Sequence, residues 1–415
     1  MAWPPLWEII TLVLLPQLWI ARCYSRLPIG QDEGIWLLWG ITGAKPYRDH
    51  VDCKPPGVHL WGWLLARLAR GDVAWVKRLH HGAVAFVATG IALAYDNVWA
   101  GVVFGSLAHS VRLHGNHAWV EQLSAGLLAF ALATEGWPSA VLLLGAAGFN
   151  LKLAFPALVL IAGNGLWSVA LGLGIVGLLT VVAIQSSWPA LWADLRYACA
   201  TVPSRMVSWR KTLGQGMIPE PDASLGGAVL VAAPPVLLAT TARPEPVLWL
   251  SALVYLLLNA TGRVWRPYHL IPLAAYAATA APAAAAVIAV ADWLAAGLYK
   301  GDVITKLRPL VGRRMREARA VGDFLRARQG TLRVTDEYTQ IYVYARKRPW
   351  YPLVEQVEIR HVVPERRGER LGGQPDFLVL GPGTREPLPA AYRTAFVHGA
   401  FTVLEPRSST GPDPA

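Results

Sequence analysis

The chain is 415 residues long, 54% hydrophobic and only 16% charged, against norms of roughly 45–50% and about 25% for soluble proteins. That excess of apolar residue types argues against an ordinary water-soluble enzyme and for several membrane passes. Lys and Arg number 38 against 27 Asp and Glu, a formal charge of +11, which on such a chain reflects cytoplasmic loops and anionic headgroups before nucleic acid. Cys23, Cys53 and Cys199 form no C-x-x-C pair, so neither a zinc ribbon nor a disulfide scaffold is indicated, and at least one thiol stays unbridged.

Residues 6–22 form an apolar run with no small-residue cleavage site after it, predicting a retained first helix instead of a signal peptide. A polar loop follows over 25–57. Apolar segments then run over 58–69, 74–95, 98–112, 118–134, 138–150, 153–163 and 165–185. After a second polar interval at 186–224 they resume at 226–241, 246–259 and 269–297, the last interrupted by Pro282. About ten crossings are expected, at roughly 20 apolar residues for each full span. The 19 tryptophans read mainly as headgroup-level belts.

From residue 300 the composition changes. Arg313, Arg314, Arg316, Arg319, Arg326 and Arg328 mark a basic amphipathic helix, read as a membrane-surface contact. Thr331–Thr335, Gln340–Tyr344, Phe377–Leu380 and Phe396–Leu404 read as strands. The expected fold is therefore a polytopic α-helical membrane unit, residues 1–299, followed by a small soluble α/β domain, residues 300–415. The side of the membrane taken by the second unit stays open: two short crossings around Pro282 put it outside, and one long helix puts it inside.

Ionisable residues crowd the first loop: Asp32 and Glu33, then Asp49, Asp52 and Lys54. A carboxylate there suits general-base work on a hydroxyl or amine, and a lysine or arginine beside it suits a phosphate leaving group. The plainer alternative is a solvated loop in which Asp32 opens a helix from Gly34 to Trp39. Elsewhere, Lys152 lies between apolar segments, where a lysine either functions or snorkels. His80, His81, His114 and His117 have no strong metal-ligand spacing.

The motif series Asp32-Glu33-Gly34, Pro46-Tyr47-Arg48-Asp49 and Asp52-Cys53-Lys54-Pro55-Pro56-Gly57, directly after a first helix, resembles the GT-C glycosyltransferases. The likeness is to the branch of protein O-mannosyltransferases and aminoarabinose transferases. It continues in Arg112 to Glu121, with Asn116 within it, in Gly148-Phe149-Asn150-Leu151-Lys152, and in Gly262 to Pro272, with Arg263, Arg266, Tyr268 and His269. In the last of these the Tyr–His order is reversed relative to the family.

The resemblance implies a multi-pass protein of the cytoplasmic membrane with its active site facing outside. A polyprenyl-phosphate sugar would be the donor and a lipid, glycan or protein the acceptor, with inversion at the anomeric carbon expected of the class. Asp32, with Glu33 beside it, would be catalytic. Lys54, Lys152, Arg263 and Arg266 would hold the donor phosphate, and Asp49, Asp52, Asn116, Glu121, Tyr268 and His269 would support the site. Cys53 stands where relatives often carry an acid or histidine, so a divalent metal is left open. Asp32 and Glu121 share a face only if 58–69 does not cross, although Arg67, Arg70, Lys77 and Arg78 would ordinarily mark a cytoplasmic loop. A transporter or flippase, or an inactive scaffold binding lipid-linked sugars, is the competing reading.

Overall fold

The computed structural model describes residues 4–46, 49, 55–110, 118, 120–167, 246–261, 271–280, 309–335, 338–350, 374–382 and 389–407, with single positions at 169–177, 282–283, 286–287 and 384. The first helix, α1 (Leu6–Tyr24), has 19 residues, about 28 Å at 1.5 Å per residue, close to the roughly 30 Å of a bilayer core. One side of it leaves Leu6, Trp7, Leu15 and Trp19 about half or more exposed, a surface suited to an apolar surrounding. Among the described residues α1 is the one helix long and apolar enough to cross a membrane.

Two short helices follow, α2 (Gln31–Thr42) and α3 (Pro56–Leu68). Asp32 and Glu33 occupy the first turn of α2, where negative charge complements the helix dipole, and Gly43 ends it at φ 76°. A Cβ on Gly62 would strike Trp36, and one on Gly40 would strike Trp63 and Ala66. The contacts advance in the same direction along both helices, so α2 and α3 lie parallel with their first turns at one end.

The bundle continues with α4 (Val73–Ala94), α5 (Val98–Ala108), α6 (Val120–Ala133), α7 (Trp137–Phe149) and α8 (Ala154–Gly163), then α9 (Pro246–Thr261) and α10 (Leu273–Ala280). Asp72 caps α4 by accepting from Trp75 N–H at 3.0 Å, and Asn97 caps α5 by accepting from Trp99 N–H at 2.9 Å. Every residue of α5 but Trp99 is buried, as its uniformly apolar sequence requires. Several of these helices are shorter than a perpendicular span.

The C-terminal unit comprises α11 (Pro309–Arg326), β1 (Leu332–Val334), α12 (Gln340–Ala345), β2 (Phe377–Leu380), β3 (Tyr392–His398) and β4 (Phe401–Pro406). The sheet order is β1-β2-β4-β3. β1 and β2 are parallel, with Leu332 opposite Phe377, whereas β4 is antiparallel to both β2 and β3. The reading of Gln340–Tyr344 as a strand is corrected: the segment is helical and all six residues of α12 are buried. Its nearly continuous apolar run reflects burial on all sides, not the one wet and one dry face of a half-exposed strand.

α11 turns Ala318, Val321 and Leu325 inward and its arginines outward, so it is held by protein packing on α12. Ile29, Ile35, Trp36 and Val58 of the first loop share one apolar core with Val321, Leu325, Ile341 and Val403. The C-terminal unit therefore sits on the face carrying the first loop, whichever path the chain takes around Pro282.

Candidate functional site

The three residues Asp32-Glu33-Gly34 do three different jobs. Asp32 is half-buried in the first turn of α2. Glu33 is fully buried and its two oxygens are both engaged: one accepts from Gly30 N–H, the other from Ala118 N–H at 2.8 Å. Lys77 Nζ, also fully buried, lies 3.4 Å from the second oxygen. Gly34 marks a close approach, because a Cβ there would stand 2.6 Å from Gln340 N and 2.8 Å from its Cα.

This arrangement makes Glu33 an anchor. It ties the start of α2 to α4 and to Ala118, two residues before α6, and it fixes the backbone beside Asp32. Glu121 lies in the first turn of α6, three residues beyond Ala118. The structure thus brings the first-loop acids and the Glu121 segment to one face, with α4 and α5 as the excursion between them. Segment 58–69 forms α3, which packs alongside α2. Lys77, expected from its charge to flag a cytoplasmic loop, is instead a buried partner on the site face.

A second pair of motifs also meets. The Gly57 Cβ position lies 2.5 Å from the Gly148 carbonyl oxygen, so the Lys-Pro-Pro-Gly segment abuts the Gly-Phe-Asn-Leu-Lys turn. Lys152, half-buried, follows in a short 3-10 turn, its N–H donating to Asn150 Oδ1 at 3.1 Å. Asp49 closes a turn by accepting from Lys45 N–H at 2.8 Å. Asp52, Lys54, Asn116, Arg263, Arg266, Tyr268 and His269, with Cys53, His114 and His117, lie outside the described residues.

The helical core holds a polar cluster that sequence spacing did not reveal. His80 and His81 lie one turn beyond Lys77 on α4. Trp61 Nε1–H donates to His80 Nδ1 at 3.0 Å; that nitrogen is therefore the acceptor, and Nε2–H faces Gln122 Oε1 at 2.7 Å. The His81 ring centroid lies 5.2 Å from those of Tyr24 and His109, and Tyr24 Oη–H donates to the His109 carbonyl at 2.8 Å. His109 Nδ1 meets Gln17 Oε1 at 2.5 Å. A metal needs convergent lone pairs, and His80 has committed both nitrogens. Among the described residues no group of three or more His, Cys, Asp or Glu is placed to hold one.

The C-terminal unit completes the site's surroundings. Ile29 N–H donates to Tyr344 Oη at 2.9 Å, and burial pushes the Tyr344 phenol above its ordinary range, keeping it protonated. Arg348 Nε donates to the Thr42 carbonyl at 3.2 Å. These partners are some 300 residues downstream, and no local signal in the sequence names them.

No family model matches the sequence, and no curated protein matches it. Two crystal structures of ArnT from Cupriavidus metallidurans do match in three dimensions. The one bound to undecaprenyl phosphate has a TM-score of 0.58 at 14% identity, over 95% of this chain and 97% of that chain. The fold is that of ArnT. The apo-state ArnT structure gives a TM-score of 0.58 at 15% identity, over 93% and 95% of the two chains. ArnT is thus matched through the helical bundle and the C-terminal sheet together, and the GT-C likeness read from short motifs holds at the level of fold.

Proposed function

We propose that the protein is a membrane glycosyltransferase that moves a sugar from a polyprenyl-phosphate carrier to a lipid, glycan or protein acceptor at the outer face of the cytoplasmic membrane. The observation that carries this reading is the meeting of separate motifs, Asp32-Glu33-Gly34 with the Glu121 segment and Pro56-Gly57 with the Lys152 turn, on one face of an ArnT fold. The ArnT crystal structure with undecaprenyl phosphate supports a lipid-phosphate donor.

In this scheme Asp32 accepts the proton of the acceptor hydroxyl or amine as that atom attacks the anomeric carbon. The bond from that carbon to the carrier phosphate breaks on the opposite side, which inverts the centre. Charge builds on the departing phosphate, where Lys54, Lys152, Arg263 and Arg266 are assigned to stabilise it. Glu33 acts through its neighbours, since its oxygens are spent on Gly30, Ala118 and Lys77. Asp49, Asp52, Asn116, Glu121, Tyr268 and His269 are assigned supporting positions.

The test compares wild type with Asp32→Asn in detergent against a panel of polyprenyl-phosphate sugars, recording turnover and donor binding in parallel. Loss of a general base predicts turnover lower by about 10²–10⁴-fold with donor binding kept. The Lys77, His80, His81 and His109 cluster inside the bundle favours a second reading, a carrier for lipid-linked sugars, because intramembrane ionisable groups mark transport paths. Donor binding without turnover in both proteins would select it.

A further inference from the structure

We propose that a cationic crevice beside the C-terminal unit binds the phosphate headgroup of an anionic bilayer lipid whose chains lie against the outer side of α1 and α4. The crevice, about 220 Å³, opens between the first turn of α4 and the α11–α12 pair, with Arg319, Arg326 and Arg346 on its walls. A depression of about 410 Å³ lies below it, lined by Leu18, Ala21, Arg22 and Arg78. The two adjoin: Ser25, which borders the crevice, is one turn past Arg22, and Ala74, which also borders it, is one turn before Arg78.

The charges favour an anion. Five arginines face two acids along this path, and both acids already have work: Asp72 caps α4, and Asp323 lies 3.7 Å from Arg319. Arg346 donates to the Gly71 carbonyl at 3.2 Å, which fixes its guanidinium at the rim. The start of α4 borders the same place through Val73 and Ala74, so the positive end of its helix dipole adds to the arginines, although the Trp75 N–H is already held by Asp72.

The lower end fits a bilayer lipid better than a soluble anion. Arg78 stacks 4.4 Å from the Trp75 ring centroid and Arg22 lies 5.8 Å from that of Trp19. Both tryptophans are about half exposed, as is Leu15 one turn below Trp19. Arginine seated on interfacial tryptophan over an apolar wall presents charge at headgroup level and hydrocarbon beneath it. Among the described residues assigned to sugar transfer, Asp32, Glu33, Asp49, Glu121 and Lys152, none borders the crevice or the depression. The inference therefore rests on membrane placement alone, and its failure would leave the transfer reading untouched.

The experiment uses the full-length protein in a neutral detergent. Phosphatidylglycerol, phosphatidylcholine with the same chains and inorganic phosphate are titrated in turn, with binding read by native mass spectrometry. Phosphatidylglycerol is expected to bind about tenfold or more tighter than phosphatidylcholine, with inorganic phosphate unable to displace it at equal concentration. The double variants Arg319→Gln/Arg326→Gln and Arg22→Gln/Arg78→Gln should each weaken it about tenfold. Arg319→Lys/Arg326→Lys should retain most of the binding, and Arg316→Gln, on the same helix but outside the crevice, should leave it unchanged. Equal binding of the two lipids, double variants that bind like wild type, or inorganic phosphate that matches the lipid would each overturn the proposal.

Discussion

Glu33 and Lys77 show how little of a residue's role follows from its type. Each charge is fully removed from solvent, and each is tolerable because the other lies 3.4 Å away and backbone N–H groups complete the carboxylate's shell. Removing one partner should therefore cost more than removing both. Lys77→Met is expected to destabilise the protein by about 3–5 kcal/mol, since it strands the carboxylate, and Glu33→Gln added to it should recover part of that loss. Thermal unfolding of the two variants in one detergent would show it; a double variant less stable than Lys77→Met would refute the pairing argument. The sequence did display Asp32 and Glu33, because they are acids in a polar loop. It hid Lys77, because a basic residue beside Arg78 near a helix end reads first as a topology mark.

At the scale of elements, Gly34 decides how closely α2 and α12 approach. The atoms a Cβ would meet, Gln340 N and Cα, are backbone and cannot rotate away. Gly34→Ala should push α12 off α2, raising hydrogen exchange in both helices and lowering turnover, whereas Gly82→Ala, where a Cβ meets nothing within 4 Å, serves as the silent control. Exchange in α2 and α12 that matches wild type would sink this account. Two elements were legible in advance for different reasons: α11 carries one dry stripe of Ala318, Val321 and Leu325, and β2, buried on both faces, is a short apolar run bounded by turn residues. α12 was misread because Gln340, Ile341, Tyr342, Val343 and Tyr344 are all buried, and a segment dry on every side carries no period to measure.

Across the whole molecule, the first-loop helices and the C-terminal unit form a single packed body on one face of the bundle. A hydrogen bond from Ile29 to Tyr344 spans 315 positions in the chain, and the apolar core around it is shared. Tyr344→Phe should expose the Ile29 amide, increasing its exchange rate by about tenfold for roughly 1.4 kcal/mol of local stability, with the distant α7–α8 region unchanged. An Ile29 amide as protected as in wild type would show that the packing alone holds the two units together.

This shared core also sets an order in time. A ribosome adding about 5–20 residues per second completes the first loop roughly 15–60 s before it reaches Tyr344. Until then Ile35 and Trp36 lack the C-terminal half of their core, although Trp36 already has Gly62 of α3, so the newborn loop keeps apolar surface open to chaperones and proteases. The acids are translated early and Glu33 gains Lys77 and Ala118 soon after, but α12 closes over α2 only when the last quarter of the chain arrives. A nonsense codon far downstream of every assigned site residue would therefore leave the chemistry encoded and its setting unbuilt.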